Sequence, residues 1–270
     1  MVMGPTHAMS GAALGLAIAA ALPHEWGGPT TAAGAFVFAG VTAGAALLPD
    51  LDSPQATIAR SFGPITTTLA HVTENTAQAI YAATKTRRDS DRQNGHRTAT
   101  HTVWFAILAG MATSALVGSF GKTASIAILF VMLGLALRGL FPKWSKSNDW
   151  LIVTAVSAAL AAATWVLLPE AAGAVALGSA MTAGVMAHLL GDALTKQGVP
   201  IFGGIISIGG KRWWDVALPS PLRIRANGPM DQVLLTVFTI SAVAMVYFTI
   251  ADPGAIGATW QAWMQPASTI

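Results

Sequence analysis

The chain of 270 residues contains no cysteine and few charged residues. The lack of cysteine excludes a disulfide framework and any thiolate metal site, so a metal would have to be held by imidazole and carboxylate groups. Charged residues make up 10% of the sequence, against about 25% in soluble domains, whereas 53% is hydrophobic and the mean hydropathy is +0.57. This composition excludes an ordinary soluble protein and indicates one embedded in a membrane.

Seven stretches without charged residues come near the roughly 20 residues that a bilayer-spanning helix needs, although the first and the fourth are short. Ala and Gly are frequent in them, which favours close packing between helices. The sequence therefore predicts an all-α integral membrane protein with a single membrane-embedded domain over residues 1–270 and about seven transmembrane helices. The expected spans are residues 8–22, 31–48, 102–120, 123–137, 150–168, 171–190 and 232–251.

A cleaved signal peptide is the alternative interpretation of the first 22 residues. Signal peptides carry a basic segment before their apolar run, and no Lys or Arg precedes the run here. The stretch also contains His7, which belongs to the polar set described below. We therefore expect it to be the first span.

Two connections between the predicted spans are long enough to carry structure of their own. Within the insertion at residues 53–100, apolar residues such as Leu69 and Val72 mix with polar ones such as His71 and Glu74, which predicts an interfacial helix on the membrane surface. The insertion at residues 196–230 contains the apolar run VPIFGGIISIGG, which is too short to span. It predicts a re-entrant or interfacial hairpin with Trp213 and Trp214 at the level of the lipid headgroups.

The placement of basic residues predicts the orientation, because Lys and Arg collect in cytoplasmic loops. All of the 15 Lys and Arg residues except Lys122 lie between spans two and three, four and five, or six and seven. The N-terminus is then cytoplasmic, the C-terminus external and both insertions cytoplasmic. Topology also explains the net charge of +3, so we expect membrane lipid as a partner and no nucleic acid.

Side chains that can bind a metal occur at four predicted helix ends, all on the cytoplasmic side. Such groups are costly at the mouth of apolar helices unless they pair, bind metal or take part in chemistry. We therefore expect a metal site at this face of the membrane. The candidate ligands are His7, Asp50 and Asp52 in LLPDLDSP, His96 and His101 in GHRTATHT, and His188 and Asp192 in AHLLGDALT.

The spacing of these residues indicates which of them can share an ion. His188 and Asp192 are four residues apart and lie on one face of a helix. His96 and His101 are five apart, which one helix cannot aim inward together, so His96 is expected in the loop before the helix, with Thr98 or Thr100 as its N-cap. A single catalytic zinc usually takes three protein ligands. Seven candidates therefore predict two divalent ions, or one ion with supporting residues, with zinc ahead of manganese or magnesium.

These motifs resemble, in the same order, those of the YdjM-type family of bacterial inner-membrane proteins, which are regarded as membrane-bound metal-dependent hydrolases and in some cases as LexA-binding. The similarity runs from the N-terminus to about residue 231. The family pattern HRGxTHS appears as HRTATHT over residues 96–102, and PDxDH appears as PDLDS, with Ser53 in place of the last His. Asp231 lies where the family has an acidic residue. The resemblance implies an inner-membrane location and metal binding.

We expect a metal-dependent hydrolase that acts at the cytoplasmic membrane surface on a phosphoester of a lipid or lipid-linked substrate. Arg97 and Arg225 are expected to hold phosphate oxygens, because guanidinium is a planar, two-pronged donor. Asp52 is the candidate general base. The alternative is a metal-binding transporter or a regulatory membrane protein without hydrolysis, for which a LexA-type partner is one option. His24 and His71 are interpreted as surface histidines outside the site.

Overall fold

The computed structural model describes residues 3–23, 28–147, 150–167 and 173–251, with the backbone alone for residues 145–147. Within these ranges the chain is helical and has no β-strand, so the all-α prediction is confirmed. The α-helices are α1 (Gly4–Ala21), α2 (Ala32–Ala45), α3 (Pro64–Thr84), α4 (Val103–Leu140), α5 (Pro142–Ser147), α6 (Trp150–Leu167), α7 (Ala174–Ala193) and α8 (Pro229–Ala251).

Five segments in the described part of the chain are long and apolar enough to cross a membrane. They support the predicted membrane location, but the predicted number of seven spans is not confirmed. The first expected span forms α1, which is not among the five, and the third and fourth expected spans fall together in α4. The five are Ala32–Asp52, Val103–Leu140, Trp150–Leu167, Ala174–Ala193 and Pro229–Ala251.

Gly121 divides the 38-residue α4 into two halves, because its φ of 57° and ψ of −134° are not helical. The first half runs toward the start of α7, and the second half runs back toward the end of α2. In the first half, the Ser114 hydroxyl donates to the carbonyl of Ala174 at the start of α7. In the second half, Met132 packs on Gly44 in α2, and Gly139 packs on Leu47 beyond its end. Both ends of α4 therefore lie at the same end of the helix bundle.

Small residues let α2 and α7 approach closely at this end. A Cβ atom added to Gly184 of α7 would lie 2.4 Å from the carbonyl oxygen of Thr42 in α2. Contact at backbone distance is the packing that Ala- and Gly-rich apolar helices favour in membranes. It places the end of α2 directly beside the end of α7, where the predicted site residues lie.

The predicted helix in the first insertion is α3. Pro64 occupies its first turn, where a missing N–H costs nothing. One face packs inward through Ala77 and Tyr81, whereas Ile65 is 73% and Val72 is 55% exposed. An exposed apolar stripe of this kind suits a helix lying on a membrane surface; that location stays a prediction.

The second insertion folds back as a short hairpin. Val199 and Val216 exchange backbone hydrogen bonds of 3.0 and 2.8 Å, and Ile208 pairs with Lys211 near the tip. The tip exposes apolar side chains, among them Ile205 and Ile208. The predicted hairpin is therefore present, and its contact with lipid stays a prediction.

Trp213 is buried within the protein and does not form an exposed anchor, and its level relative to the lipid headgroups stays a prediction. Its ring packs edge-on against Tyr81 of α3 at 5.3 Å between centroids, and its Nε1 donates to the Thr84 hydroxyl at 3.0 Å. Asp89 also accepts from the backbone N–H of Trp213 at 2.9 Å. Trp213 therefore joins the hairpin to the first insertion.

Candidate metal centre

The structure brings the seven predicted ligands together at one end of the bundle. His7 lies in the first turn of α1, and Pro49 helps to end α2 so that the two aspartates follow in a 3-10 helix, Leu48–Asp52. His96 and His101 precede α4, in a turn and in the 3-10 helix Ala99–His101. The last two ligands lie near the end of α7. Six of the seven residues are buried, namely His7, Asp50, Asp52, His101, His188 and Asp192.

Four of these side chains point at a common centre. The Nε2 atoms of His101 and His188 are 3.2 Å apart. Oδ1 of Asp50 lies 3.7 Å from both Nε2 atoms. Oδ2 of Asp192 lies 3.8 and 3.7 Å from the same two atoms. Two lone pairs and two carboxylates on a common centre are a donor set that suits zinc or another divalent cation.

The Nδ1 atoms of His101 and His188 contact acceptors outside the common centre. These contacts fix the orientation of both rings, with Nε2 toward the centre. Nδ1 of His188 lies 2.9 Å from the carbonyl oxygen of Ala46. Since a carbonyl can only accept, Nδ1 carries the proton and Nε2 is left with its lone pair. Nδ1 of His101 lies 3.3 Å from Oδ2 of Asp52. Metal-binding histidines typically donate their second N–H in this way.

Asp52 does not point at this centre but contacts the Nδ1 atoms of His96 and His101 and so orients their rings. Oδ1 is 2.6 Å from Nδ1 of His96. Oδ2 accepts from the hydroxyl of Thr100 and from the backbone N–H of Arg97 at 3.2 Å. Both oxygens are therefore satisfied by protein groups. The candidate ligand sets of three contain each of the other six predicted ligands but not Asp52.

The prediction of Thr98 or Thr100 as the N-cap of α4 is wrong, because the N-cap is Thr102 in the same motif. α4 begins after Thr102, whose hydroxyl accepts from the N–H of Phe105 at 3.3 Å. Thr98 instead donates to the carbonyl oxygens of Gly95 and Ala77. Thr100 donates to Asp52. Only Thr102 has the helix start directly after it, because the 3-10 turn before it uses Thr98 and Thr100 to hold the loop.

His7 closes the cluster on the side of α1. Its ring stacks on that of His188 at 4.0 Å between centroids, and Nε2 is 3.4 Å from Oδ1 of Asp192. The neighbouring Thr6 hydroxyl donates to Asp231 at 2.7 Å. Asp231 is buried in the first turn of α8 and accepts the backbone N–H of Asn227 as well. This contact fixes the start of α1 against α8 and so positions His7.

Arg97 is buried between the cluster and the hairpin. Nη2 lies 2.6 Å from Oδ2 of Asp192, and Nη1 donates to the carbonyl oxygen of Gly198 at 2.7 Å. Among the described residues, Nε has no hydrogen-bond partner. Its φ of 57° is in the left-handed region, which is unusual for a non-glycine residue. The predicted phosphate contact stays a prediction.

Arg225 lies elsewhere, in the exposed loop before α8, where its carbonyl oxygen accepts from the N–H of Gly228. The described contacts do not bring it to the cluster. His71 is exposed on α3, as expected. His24 lies outside the described residues.

Buried atoms without partners show that the cluster fits a cation. Both ring nitrogens of His7, Oδ1 of Asp50 and Oδ1 of Asp192 are buried without a hydrogen-bond partner among the described residues, whereas Oδ2 of Asp192 is paired with Arg97. Three buried aspartates face one buried arginine, which leaves two negative charges uncompensated if the histidines are neutral. Buried charges of this kind are normally paired or coordinate metal. One divalent cation would balance them.

The same excess of negative charge acts on His101. Burial alone would lower the pKa of this imidazole, but the Asp52 carboxylate and the contact with Asp50 outweigh burial and raise its pKa to about 9. A bound cation would take the place of that proton, since metal binding requires neutral imidazole. The site therefore favours a positive charge, either as a proton on His101 or as a bound cation.

Several groups of the site carry no signal in the sequence. The carbonyls of Ala46 and Gly198 are backbone atoms, so residue type gives no indication of them. Thr100 lies within the HRTATHT motif, yet its contact with Asp52 depends on the 3-10 turn. Asp231 follows a Pro at the start of an apolar run, a position typical of a helix N-terminus. Its partner on α1 could not be predicted.

A comparison with protein-family models matches residues 1–141 to the YdjM inner membrane protein model. The chain belongs to the YdjM inner membrane protein family. The matched part contains five of the seven clustered ligands, and the remaining two lie on α7 beyond it. Searches among curated proteins and among solved structures found no match. Family membership and the five apolar helices place the protein in the membrane.

Proposed function

We propose that this YdjM family protein is a metal-dependent hydrolase that acts at the cytoplasmic face of the inner membrane on a phosphoester of a lipid or lipid-linked molecule. One observation carries the proposal: His101 and His188 turn their Nε2 lone pairs, and Asp50 and Asp192 their carboxylates, toward one buried centre. Zinc is the first expectation, since imidazole and carboxylate are its ligands in catalytic sites. Manganese and magnesium are the alternatives.

The residues that would hold the ion are His7, Asp50, His101, His188 and Asp192. When bound, a divalent cation supplies a Lewis acid for a phosphoryl oxygen and makes water a stronger acid at neutral pH. The three candidate ligand sets overlap in Asp50, His101 and His188. This overlap supports two neighbouring ions or one ion with alternative ligands.

The remaining groups support roles in substrate binding and proton transfer. Nε of Arg97 has no hydrogen-bond partner among the described residues, and we propose that it binds a phosphate oxygen through charge and hydrogen bonding while Nη2 contacts Asp192. His96 has 21% of its side chain exposed, and Asp52 is 2.6 Å from its Nδ1. A carboxylate at Nδ1 fixes the tautomer in which Nε2 accepts a proton, as in base–orienter pairs. His96 is therefore our candidate for proton transfer, and Asp52 orients it.

The test uses protein purified without added metal and reconstituted into lipid nanodiscs. Elemental analysis should find zinc or another divalent metal, and the preparation should release phosphate or alcohol from a panel of lipid phosphoesters. Chelation should abolish turnover and the metal should restore it. Bound metal without turnover of any phosphoester would contradict the hydrolase and support the metal-binding transporter or regulator. The variant His71→Ala changes an exposed histidine of α3 outside the cluster and should keep the metal content and turnover of the wild type.

A further inference from the structure

An apolar cavity of about 420 Å³ lies beside His7, between α1, α7, α8 and the returning arm of the hairpin. Its volume falls within the range of ligand pockets, roughly 300–1,000 Å³. Polar side chains line it only near His7, where the Ser10 hydroxyl is already bonded to the His7 carbonyl oxygen. The rest of the lining includes Leu14, Leu190, Leu234 and Phe238.

The cavity leads away from the metal cluster along the direction in which the helices cross the membrane. His7 and Leu14 are seven residues apart on α1, which separates them by about 10 Å along the helix axis. Leu234 and Phe238 are one turn apart on α8, deeper in the bundle than the start of that helix. The cavity is therefore polar at the cluster and apolar beyond it.

The rim of the cavity is open to the side of the bundle. Leu14 is 36% and Leu190 57% exposed. Since both belong to helices with apolar surfaces, these side chains face the surroundings of the bundle. A hydrocarbon chain could pass between them without any charged group entering the apolar layer.

We propose that this cavity binds a single hydrocarbon chain of an amphipathic phosphoester, so that its phosphate comes to lie at His7 and the metal cluster. The inference rests on the proposed function for the phosphate end of the ligand. The hydrocarbon end of the ligand does not depend on the proposed function. It follows from the apolar lining of the cavity, which excludes a charged or sugar-like group. Straight alkyl and branched isoprenyl chains share this chemistry, and the test separates them.

The expected signature is a dependence of affinity on chain length. Each buried methylene adds about fourfold in affinity, and the gain stops when the cavity is full. A site that contacted only the phosphate would bind all members of such a series equally. Ordinary lipid on the outside of the helices would show no saturation.

The experiment uses full-length protein in nanodiscs and a straight-chain alkyl phosphate that carries a photoreactive diazirine on its chain. Unlabelled alkyl phosphates of increasing length, one isoprenyl phosphate and inorganic phosphate compete with the probe. We expect saturable labelling of peptides from α1 and α8 that include Leu14 or Phe238. Stronger competition by straight or by isoprenyl chains identifies the source of the chain.

Leu14→Trp fills the cavity from its partly exposed rim and should weaken probe binding at least about tenfold, since it displaces several methylenes. Leu116→Trp, on a 47% exposed position of α4 that does not line the cavity, is the matched control. Metal content should stay unchanged in both variants. Phe238→Ala, which enlarges the cavity, should shift the preference to longer chains.

The two proposals fail in different ways. Labelling that does not saturate, or that Leu14→Trp and Phe238→Ala leave unchanged, overturns the chain-binding cavity even if the protein hydrolyses phosphoesters. Saturable, chain-length-dependent labelling without turnover supports the cavity and counts against the hydrolase. Competition by inorganic phosphate alone, with no effect of chain length, also overturns the cavity.

Discussion

The Nε2 atoms of His101 and His188 lie 3.2 Å apart, although the two residues are separated by 87 positions in the chain. Both side chains are fully buried. Nδ1 of each imidazole is occupied by an acceptor, Asp52 or the Ala46 carbonyl. Two lone pairs facing each other in a buried site are unfavourable unless a proton or a cation lies between them.

Replacing either histidine should therefore remove the metal. His101→Gln and His188→Gln keep a polar side chain of similar size but lose the imidazole ligand. We expect metal affinity to fall about 100-fold or more, beyond the 10- to 100-fold loss typical of residues that only orient a ligand. Elemental analysis of the protein after dialysis against a metal buffer measures this loss of metal affinity. Equal metal content in these variants and in His71→Gln would exclude this centre.

Asp52→Asn should weaken metal binding less than loss of a ligand does. The amide keeps the shape of the carboxylate but cannot accept from both His96 and His101, so the histidines lose their fixed orientation. A fall in metal affinity of about 10- to 100-fold is expected. Asp215→Asn is the control, because Asp215 is a surface carboxylate paired with Arg92. An unchanged metal affinity would show that Asp52 does not orient the cluster.

The sequence predicts the cluster well where helical geometry alone decides the result. His188 and Asp192 point the same way because they are four residues apart on one helix, and His96 lies in the turn before α4. The role of Asp52 was not predictable in the same way. Its hydrogen bonds come from residues 44 to 49 positions later in the chain, and spacing carries no information on such contacts.

Other differences from the sequence-based expectations also have physical causes. Trp213 is amphipathic, and this property suits both a membrane interface and a buried position beside Tyr81 and Thr84. The span count depends on Gly121, because its non-helical φ and ψ interrupt α4 between two apolar halves that follow each other without a loop. Hydropathy identifies such stretches but does not report the backbone conformation between them.

Arg97→Lys tests the phosphate contact. Lysine keeps the positive charge beside Asp192 but cannot also reach Gly198 and present a further donor, because it lacks the planar fork. We expect turnover to fall about tenfold to a thousandfold, as when one positioned donor is lost. Substrate affinity and metal content should change less. Full turnover in Arg97→Lys, measured beside the exposed control Arg87→Lys, would remove Arg97 from the site.

The junction between the two insertions should depend on pH through Asp89. Burial alone would raise the pKa of this carboxyl, but hydrogen bonds from Thr86, Trp213 and Arg212 outweigh burial and lower it. The contact is therefore fully present above the ordinary pKa of about 3.9 and is lost as the pH falls through the lower, folded-state value.

Amide hydrogen exchange of residues 209–214 measures this contact. In the wild type, exchange corrected for its intrinsic pH dependence should rise only at acidic pH. Asp89→Asn should raise it at neutral pH and remove the dependence on acid. Asp91→Asn, whose partner Lys85 is a surface residue, is the control. Identical exchange profiles for wild type and Asp89→Asn would contradict the role of Asp89.

The orientation can be tested directly, because the chain has no cysteine of its own. Single cysteines at Ser90, in the first insertion, and at Thr123, just after the interruption of α4, are both at exposed positions. A membrane-impermeant thiol reagent should label Thr123→Cys in intact cells and Ser90→Cys only after lysis. The reverse result would place the metal cluster at the external face and contradict the proposed topology.

The cluster also sets an order of assembly. Its candidate ligands extend from His7 on α1 to Asp192 on α7, so the set becomes complete only after most of the chain has been synthesised. Until then the apolar helices carry imidazoles and carboxylates that have neither a cation nor Arg97 paired with Asp192. An ion held as proposed would therefore be captured late in biogenesis, and a chain truncated before α7 would keep a family-type N-terminal half that cannot complete the proposed ion site.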